Sequence, residues 1–381
     1  MILKSLEYSQ FTGQPNEWYL EQVLFGKINL IVGKNATGKT KILNIIRNLA
    51  NLVAGEHKLI FLSGNYKMVF EKDGQNIEYI LCFENQEIYQ EQLKIGEDIR
   101  LERGVGGAGR IFAQQLNQQI EFQAPVNELV CVARRDSVQH PFFEDLYQWG
   151  KTTYHYFFGS PLGKDHLAVF VKGQKEGNLN LKHTDKVVGI LKKGLDKHGS
   201  AFSESIKKDM VSIGYKIDDI FIAPLKSIKV EGGVIATPEG IHIKEADIPA
   251  STDQNGMSQG MFRALSLIIQ VTLSQLEGAP SCILIDDIGE GLDFDRSSSL
   301  IKLLIEKANS SSVQLIMSTN DRFVMNNVPL EYWGVVQRMG QKCKVFNYTN
   351  SKKTFDDFAY TGLANFDFLS TEFYLKGFDN E

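Results

Sequence analysis

The residues with the clearest chemical meaning lie between a mostly apolar run, Ile28–Val32, and an amphipathic stretch, Lys39–Val53. They match the pattern G-x-x-x-x-G-K-[ST] in the order strand, loop, helix. In this pattern, successive backbone N–H groups curl around phosphate oxygens at a helix N-terminus. We expect Lys39 to neutralise the β- and γ-phosphates and the Thr40 hydroxyl to ligate magnesium. The expected phosphate-binding residues are Gly33, Lys34, Asn35, Ala36, Thr37, Gly38, Lys39 and Thr40.

A second candidate group lies in the segment ILIDDIGEGLD, where an apolar run ends in acids. Acids at the end of a strand suit a second magnesium contact and a base that activates water. We expect Asp286 to hold magnesium, directly or through water, and Asp287 to be the general base, with Glu290 as a minor alternative. A helix N-terminus with capping acids is the competing explanation. The phosphate loop upstream makes this capping explanation weaker than the magnesium site.

The third group is the string MSQGMFR, which precedes an apolar helix. Ser258 and Gly260 at a helix start offer a hydroxyl and close backbone N–H groups to an anion, as a γ-phosphate receptor requires. Taken alone, the string is better explained as an ordinary N-cap. Its place between the phosphate loop and Asp286 favours the receptor.

These motifs need strands and helices to position them. Strands that alternate with helices near both chain ends predict an α/β fold with a largely parallel core sheet. Segments 66–71 and 77–83 around an Asp-Gly turn, continued by Glu87–Ile95, predict an antiparallel β-subdomain beside it. The other predicted elements are strands at 128–133, 283–285 and 313–317, and helices at 142–149, 185–195, 202–213 and 296–308.

We expect a single domain over residues 1–381. Its core lobe would comprise about 1–135 and 280–350, with a helical insert and the MSQGMFR motif at about 136–280 and a C-terminal extension at about 351–381. No stretch carries heptads over several turns, so a long coiled coil is not expected.

Composition limits the partners and the compartment. Lys and Arg total 41 against 46 Asp and Glu, a net charge of −5, which argues against a globally basic surface but allows a local basic groove. The four cysteines are scattered without a C-x-x-C pair, so neither a zinc site nor a disulfide framework is indicated. No apolar run approaches the roughly 20 residues that span a bilayer. We therefore expect a cytoplasmic protein with no membrane contact.

The ordered set GKNATGKT, MSQGMFR, ILIDDIGEGLD and IMSTND resembles the ABC-type ATPases of the RecF/SMC/OLD-like group, compact bacterial "AAA family ATPase" proteins with a P-loop NTPase fold. The resemblance covers both ends of the chain well and the middle poorly. It implies ATP and Mg2+ as cofactors. It also assigns Gly33, Gly38, Lys39 and Thr40 to Walker A, Ser258 and Gly260 to the signature, Asp286 to Walker B, and Asp293 to the D-loop that faces a partner subunit.

Two positions depart from that family. It usually has Glu where this chain has Asp287, and His where this chain has Asn320. Asp accepts a proton but reaches less far, and Asn donates to a γ-phosphate without titrating. We therefore expect slow turnover. Gln139 is the candidate for the family's Q-loop, with an ordinary polar loop as the competing explanation.

The resemblance implies hydrolysis of ATP to ADP at sites that form between two subunits of a homodimer. It further implies a role as the nucleotide-gated component of a bacterial DNA-repair or anti-phage defence module, with DNA contact and a separate effector, a nuclease or toxin. The alternative is a nucleotide-dependent scaffold that dimerises and holds a partner with negligible hydrolysis. A membrane transporter subunit is disfavoured because the signature is degenerate.

Overall fold

We describe residues 1–169, 179–225, 238–278 and 282–378 of the computed structural model. Most strands of this part form one 14-stranded mixed sheet. In chain order the strands are β1 (Ile2–Gln10), β2 (Trp18–Leu24), β3 (Ile28–Val32), β4 (Ser63–Lys72), β5 (Gln75–Glu84), β6 (Glu87–Ile95), β7 (Asp98–Arg103), β8 (Ala108–Ala113), β9 (Gln118–Gln123), β10 (Thr153–Phe157), β11 (Ile217–Pro224), β12 (Glu239–Glu245), β13 (Ser251–Asp253), β14 (Cys282–Asp286), β15 (Gln314–Ser318), β16 (Trp333–Met339) and β17 (Lys342–Asn347).

Helices pack on both faces of the sheet around β3. In chain order they are α1 (Lys39–Val53), α2 (Val130–Ala133), α3 (Phe143–Lys151), α4 (Val187–Ser212), α5 (Gln259–Gly278), α6 (Phe294–Asn309), α7 (Arg322–Asn327), α8 (Lys352–Ala359), α9 (Asn365–Ser370) and α10 (Phe373–Lys376). One hydrophobic core contains the inner face of α1, and a second contains those of α4, α5 and α6.

The half of the sheet that carries the motifs is parallel. Its order is β10, β14, β15, β3, β16, and each neighbouring pair runs in the same direction. Every residue of β3, β14 and β15 is buried, as expected for apolar runs of a parallel sheet covered on both faces. Parallel strands bring their carboxyl ends to the same edge. The loops after β3, β10, β14 and β15 therefore meet there, and the prediction of an α/β fold with a parallel core is confirmed.

The other half of the sheet is mostly antiparallel. Strands β4, β5 and β6 form the meander predicted from the sequence. Asp73 and Gly74 join the first two strands with φ of 51° and 77°, so both residues are left-handed, which favours Asp-Gly in a two-residue hairpin. Strand β17 pairs with β2 and so joins the two halves.

The strand predicted at 128–133 is wrong, because the segment forms α2. The buried carboxylate of Glu91 accepts hydrogen bonds from the backbone N–H groups of Val130 at 2.8 Å and Cys131 at 3.0 Å. Successive N–H groups that converge on one acceptor are the free donors of a helix N-terminus. A partner about 40 positions upstream thus overrides the local apolar pattern.

The insert is less helical than the sequence indicates. Strand β10, inside the range 136–280, joins the core sheet beside β14, and β11, β12 and β13 form a separate antiparallel sheet. The two helices predicted around 185–195 and 202–213 are the two parts of α4. They meet at Gly199, whose φ of 57° and ψ of −137° interrupt the helix.

Candidate nucleotide site at the carboxyl edge of the sheet

The phosphate loop has a backbone that requires its glycines. Gly38 has a φ of 110°, and Ala36 is also left-handed with a φ of 62°. A Cβ on Gly33 would lie 2.8 Å from the carbonyl oxygen of Val336, which is too close for any side chain. Helix α1 begins directly after Gly38. No side chain caps its N-terminus, so its first backbone N–H groups remain available to an anion.

Lys39 lies across this loop. Its ammonium group donates to the carbonyl oxygens of Gly33 at 2.8 Å and Lys34 at 3.1 Å, and the residue is buried. Burial lowers the pKa of the Lys39 ammonium, while the carboxylates of Asp287 and Asp286 raise it. The structure therefore brings the lysine and the two acids, predicted from motifs about 250 positions apart, into one electrostatic environment.

Thr40 and Asp286 contact each other directly. The Thr40 hydroxyl donates to Oδ1 of Asp286 at 3.2 Å, and the Ser318 hydroxyl donates to the same oxygen. A hydroxyl and one carboxylate, with phosphate and water oxygens completing the shell, suit Mg2+. Within the described ranges, no group of three or more His, Cys, Asp or Glu side chains is placed to hold a metal ion. The residues present thus fit magnesium bound together with a phosphate.

Asp287 lies next to this pair in an uncommon conformation. Its φ is 54°, its N–H donates to the Ser318 hydroxyl at 3.0 Å, and the Asn320 amide donates to its Oδ1 at 3.3 Å. Burial raises the pKa of the Asp287 carboxyl, and the charges of Asp286 and Glu290 raise it further. The structure brings Asp287, Asn320 and Glu290 together, while their roles in catalysis stay predictions.

Sequence reasoning missed Gly159, which borders the acids. The loop after β10 begins with the Phe158 N–H donating to the Asp286 carbonyl at 2.9 Å. A Cβ on Gly159 would lie 2.8 Å from Oε2 of Glu290 and 3.3 Å from Cβ of Asp287. A glycine two residues after the end of an aromatic strand was the available signal, because glycine often marks close approach of another chain segment.

Sequence reasoning also gave no role to Arg263, although this residue joins three segments of the site. Its guanidinium donates to the carbonyl oxygens of Gly159 at 2.6 Å, Ser160 at 2.8 Å and Glu290 at 3.0 Å. This fork of donors ties the start of α5 to the loop after β10 and to the acidic segment. Its position three residues after Gly260, on a helix that enters the core, was the only signal in the sequence.

Ser258 has the geometry of an N-cap. Its Oγ accepts from the Met261 N–H at 3.2 Å, and its exposed hydroxyl keeps a proton to donate. Gly260 packs closely on the acidic segment, because a Cβ there would lie 2.3 Å from the carbonyl oxygen of Gly291. The cap and the proposed receptor role are therefore compatible.

Asp293 is the N-cap of α6. Its carboxylate accepts from the Arg296 N–H at 3.0 Å and from the Arg296 guanidinium. The backbone hydrogen bond from Arg296 lowers the pKa of the Asp293 carboxyl. The assignment of Asp293 to a D-loop stays a prediction.

Gln139 lies apart from the other predicted residues. Its amide donates to Gln115 at 3.0 Å and its N–H donates to Asp136 at 3.0 Å, so it rests against the turn between β8 and β9. In the described part of the chain, none of its hydrogen bonds reaches the phosphate loop or the acids. The loop that lies beside Asp286 is instead the one that contains Gly159.

Comparison with solved structures shows which fold this is. The chain is similar to an Smc head bound to the C-winged helix domain of ScpA, with a TM-score of 0.52 and 14% identity over 91% of this chain and 98% of that one. It is also similar to an Smc head domain with an extended coiled coil, bound to the C-terminal domain of ScpA from Pyrococcus furiosus. There the TM-score is 0.50 and the identity 12%, over 94% of this chain and 99% of that one.

The chain has the fold of an SMC head, which is an ABC-type ATPase fold. No protein-family model and no curated protein matches the sequence. Across the helices that the structure describes, none combines the length and the apolar character needed to cross a membrane.

Proposed function

We propose that this protein binds ATP with Mg2+ at the phosphate loop and hydrolyses it slowly. The observation that carries the proposal is the direct contact between the Thr40 hydroxyl and Asp286, beside buried Lys39. One edge of the sheet then brings together the groups that ATP and magnesium need. Lys39 supplies a cation for the phosphates, Thr40 and Asp286 supply oxygens for magnesium, and the start of α1 supplies free N–H groups.

The hydrolytic step would depend on Asp287. Its carboxylate lies beside Asp286 and accepts a hydrogen bond from Asn320, so it is placed to orient or deprotonate a water near the γ-phosphate. The shorter reach of Asp relative to Glu supports low turnover. Bound Mg2+ would supply charge neutralisation and an ordered shell of oxygens around the phosphates.

We propose that a second copy of the chain completes each site. The hydrogen bonds of Ser258 stay on α5, and Gly260 packs on the acidic segment of its own chain. Among the described contacts, neither residue touches the phosphate loop of the same chain. A two-fold related copy could present Ser258 and Gly260 to the γ-phosphate.

The biological role belongs to the same proposal. The resemblance of the motifs favours the nucleotide-gated component of a bacterial DNA-repair or anti-phage defence module, with a nuclease or toxin on another chain. The two Smc heads above carry a separate protein domain, ScpA, in their structures. That precedent supports a head that acts on a partner rather than alone.

One observation favours a second candidate, an ATP-dependent scaffold with negligible hydrolysis. The Asn320 amide, which would otherwise face the γ-phosphate, donates to the carboxylate of Asp287. If this bond persists with nucleotide bound, the acid is occupied as an acceptor and water is poorly activated. A single-turnover assay with labelled ATP separates the two functions, because the scaffold retains intact ATP in its dimer.

The test of nucleotide binding is Lys39→Ala, measured by calorimetry and by phosphate release. We expect ATP hydrolysis to be lost and ATP binding to weaken at least about tenfold, because a charge-assisted hydrogen bond to the phosphates is removed. Lys302→Ala on the exposed side of α6 is the matched control and should bind ATP normally. Unchanged ATP affinity in Lys39→Ala would refute the phosphate-loop assignment.

A further inference from the structure

The side chain of Lys34 is the second cation of the phosphate loop, and it has a distant partner. It forms an ion pair with Glu372, 338 positions away at the start of α10. The hydrogen bond to Glu372 raises the pKa of Lys34, and the same bond lowers the pKa of Glu372. The loop therefore meets an incoming phosphate with one of its two lysines already bound to an acid.

The backbone holds Glu372 in place. Its φ is 59°, a left-handed conformation that non-glycine residues seldom adopt. The next turn is anchored by Tyr374, which is buried and packs against Phe346 and Phe368 with ring centres 5.5 and 6.2 Å away. The carboxylate is thus presented by a packed segment rather than by a loose chain end.

The same C-terminal segment also contacts the other side of the site. The Asn365 amide donates to the Val328 carbonyl at 2.9 Å, and the Phe366 N–H donates to Asn326 at 2.8 Å. These acceptors lie at the end of α7, the helix that begins two residues after Asn320. Residues 365–378 therefore connect the phosphate loop with α7, the helix that follows the loop containing Asn320.

We propose that residues 365–378 form an acidic latch on the nucleotide site. Glu372 holds Lys34 away from the phosphates in the nucleotide-free protein, and the anionic phosphates of a nucleoside polyphosphate compete with Glu372 for the same ammonium group. The lysine stem is flexible enough to exchange partners, while the backbone that carries Glu372 is anchored by buried Tyr374. The latch rests on the proposed function, because it requires a nucleotide at the loop.

Three consequences follow from competition for one cation. Loss of the Glu372 charge leaves Lys34 free, so nucleotide affinity rises about two- to fivefold at low ionic strength, as expected for an exposed pair. High salt screens the pair and should remove most of this difference. Nucleotide binding should also increase backbone hydrogen exchange at residues 371–376, because the ion pair to the loop is broken.

The experiment measures the affinity for ATP and ADP of wild type, Glu372→Gln, Lys34→Gln and the double variant, at about 50 mM and about 500 mM salt. Glu372→Asn is a second variant, since Asn tolerates left-handed backbone and removes the same charge. Asp356→Asn is the matched control, because it breaks the exposed pair Lys352–Asp356 in α8 of the same extension. We expect this control to bind like wild type.

The outcomes separate the latch from the proposed function. The latch is supported if both Glu372 variants gain affinity and the gain falls below about 1.5-fold in the Lys34→Gln background. An equal gain in that background would show a general charge effect and overturn the latch. If wild type and Asp356→Asn bind ATP and the Glu372 variants bind it equally well, the latch is wrong and the function stands. If no variant binds nucleotide, the function itself is wrong, and the latch falls with it.

Discussion

Asp287 is the residue on which the proposed hydrolytic step depends most. Its left-handed backbone turns the chain directly after β14, so that its carboxylate lies beside Asp286 and within reach of Asn320. Non-glycine residues with a positive φ are uncommon, and such strain is concentrated at functional sites. The conformation supports a role in the reaction for Asp287 more than for Glu290, whose side chain is half exposed.

We predict that Asp287→Asn retains ATP binding while turnover falls at least about tenfold, because only the base or water-orienting role is lost. The amide keeps the size of the side chain and the backbone turn. Glu290→Gln is the comparison, and its loss should be smaller. Calorimetry and steady-state phosphate release measure the two effects. Equal turnover in Asp287→Asn and wild type would assign the step to Glu290 or to another group.

His155 is a buried residue that the proposed chemistry does not use. It lies on β10 beside α1 and contacts Phe157 in a tilted arrangement, with ring centres 4.1 Å apart. Neither ring nitrogen has a hydrogen-bond partner among the described residues. Burial lowers the pKa of His155 from 6.5 to about 3, and the nearby Arg47 charge adds to the shift. The imidazole is therefore neutral in the folded protein at physiological pH.

This shift predicts acid sensitivity of the fold. As pH falls through about 6.5, the unfolded chain binds a proton at His155 and the folded chain does not until about pH 3, so stability decreases across that window. Between pH 7.5 and 5.0 the loss is about 2 kcal/mol. Denaturant unfolding of His155→Leu should lack this loss, whereas the exposed control His57→Gln should retain it. The same pH slope in His155→Leu and wild type would contradict the assignment.

At the scale of elements, a buried ion pair fixes the segment that leads from the antiparallel half of the sheet to α3. Glu91 and Arg103 are both fully buried, with 3.5 Å between the charged groups. Arg103 also donates to the carbonyl oxygens of Pro125 and Glu128, each at 2.6 Å, while Glu91 accepts the first N–H groups of α2. This network, rather than local propensity, determines that α2 is a helix.

We predict that Glu91→Gln destabilises the protein by about 3–5 kcal/mol, because the Arg103 charge is left buried without its partner. The control in the same subdomain is Glu121→Gln, which breaks the exposed pair with Arg110 and should cost about 0–1 kcal/mol. Chemical unfolding of nucleotide-free protein measures both. A cost in Glu91→Gln no larger than that of the control would mean that the network is not needed to hold α2.

At the scale of the whole molecule, the proposed mechanism depends on a surface between two copies. Lys39 and Ser258 are separated by 258 − 39 = 219 positions, and among the described contacts they do not meet in one chain. ATP held between the copies would favour the dimer over separate subunits, and hydrolysis would reverse much of that preference.

We predict that magnesium-ATP or a slowly hydrolysed analogue tightens self-association relative to ADP, and that Ser258→Arg prevents this while ATP binding to the monomer is mostly intact. A distance probe across the Ser258 surface is the measurement, because a constitutive dimer through another face would hide a change in mass. Ser310→Arg, an exposed serine between α6 and β15 at the opposite edge of the sheet, is the control. The shared-site mechanism is wrong if the distance is the same in all nucleotide states and Ser258→Arg leaves turnover unchanged.

The sequence by itself determined the parts of the protein that depend on covalent neighbours. A glycine loop between an apolar strand and an amphipathic helix is a local arrangement, as are the acids at the end of β14 and the Asp-Gly hairpin between β4 and β5. Parallel order then followed from the alternation of strands and helices. The two motifs separately assigned Thr40 and Asp286 to magnesium without knowledge of any contact between them.

Only the tertiary structure decided the features that depend on partners far along the chain. Segment 128–133 is a helix because Glu91 accepts its N–H groups, and Gly159 and Arg263 matter because they meet the acidic segment. Glu372 reaches Lys34 from the opposite end of the chain. The physical reason is the same in each case. A buried or packed side chain pairs its charge and its hydrogen-bonding groups with the residues that the fold places beside it, and sequence spacing does not predict which residues those are.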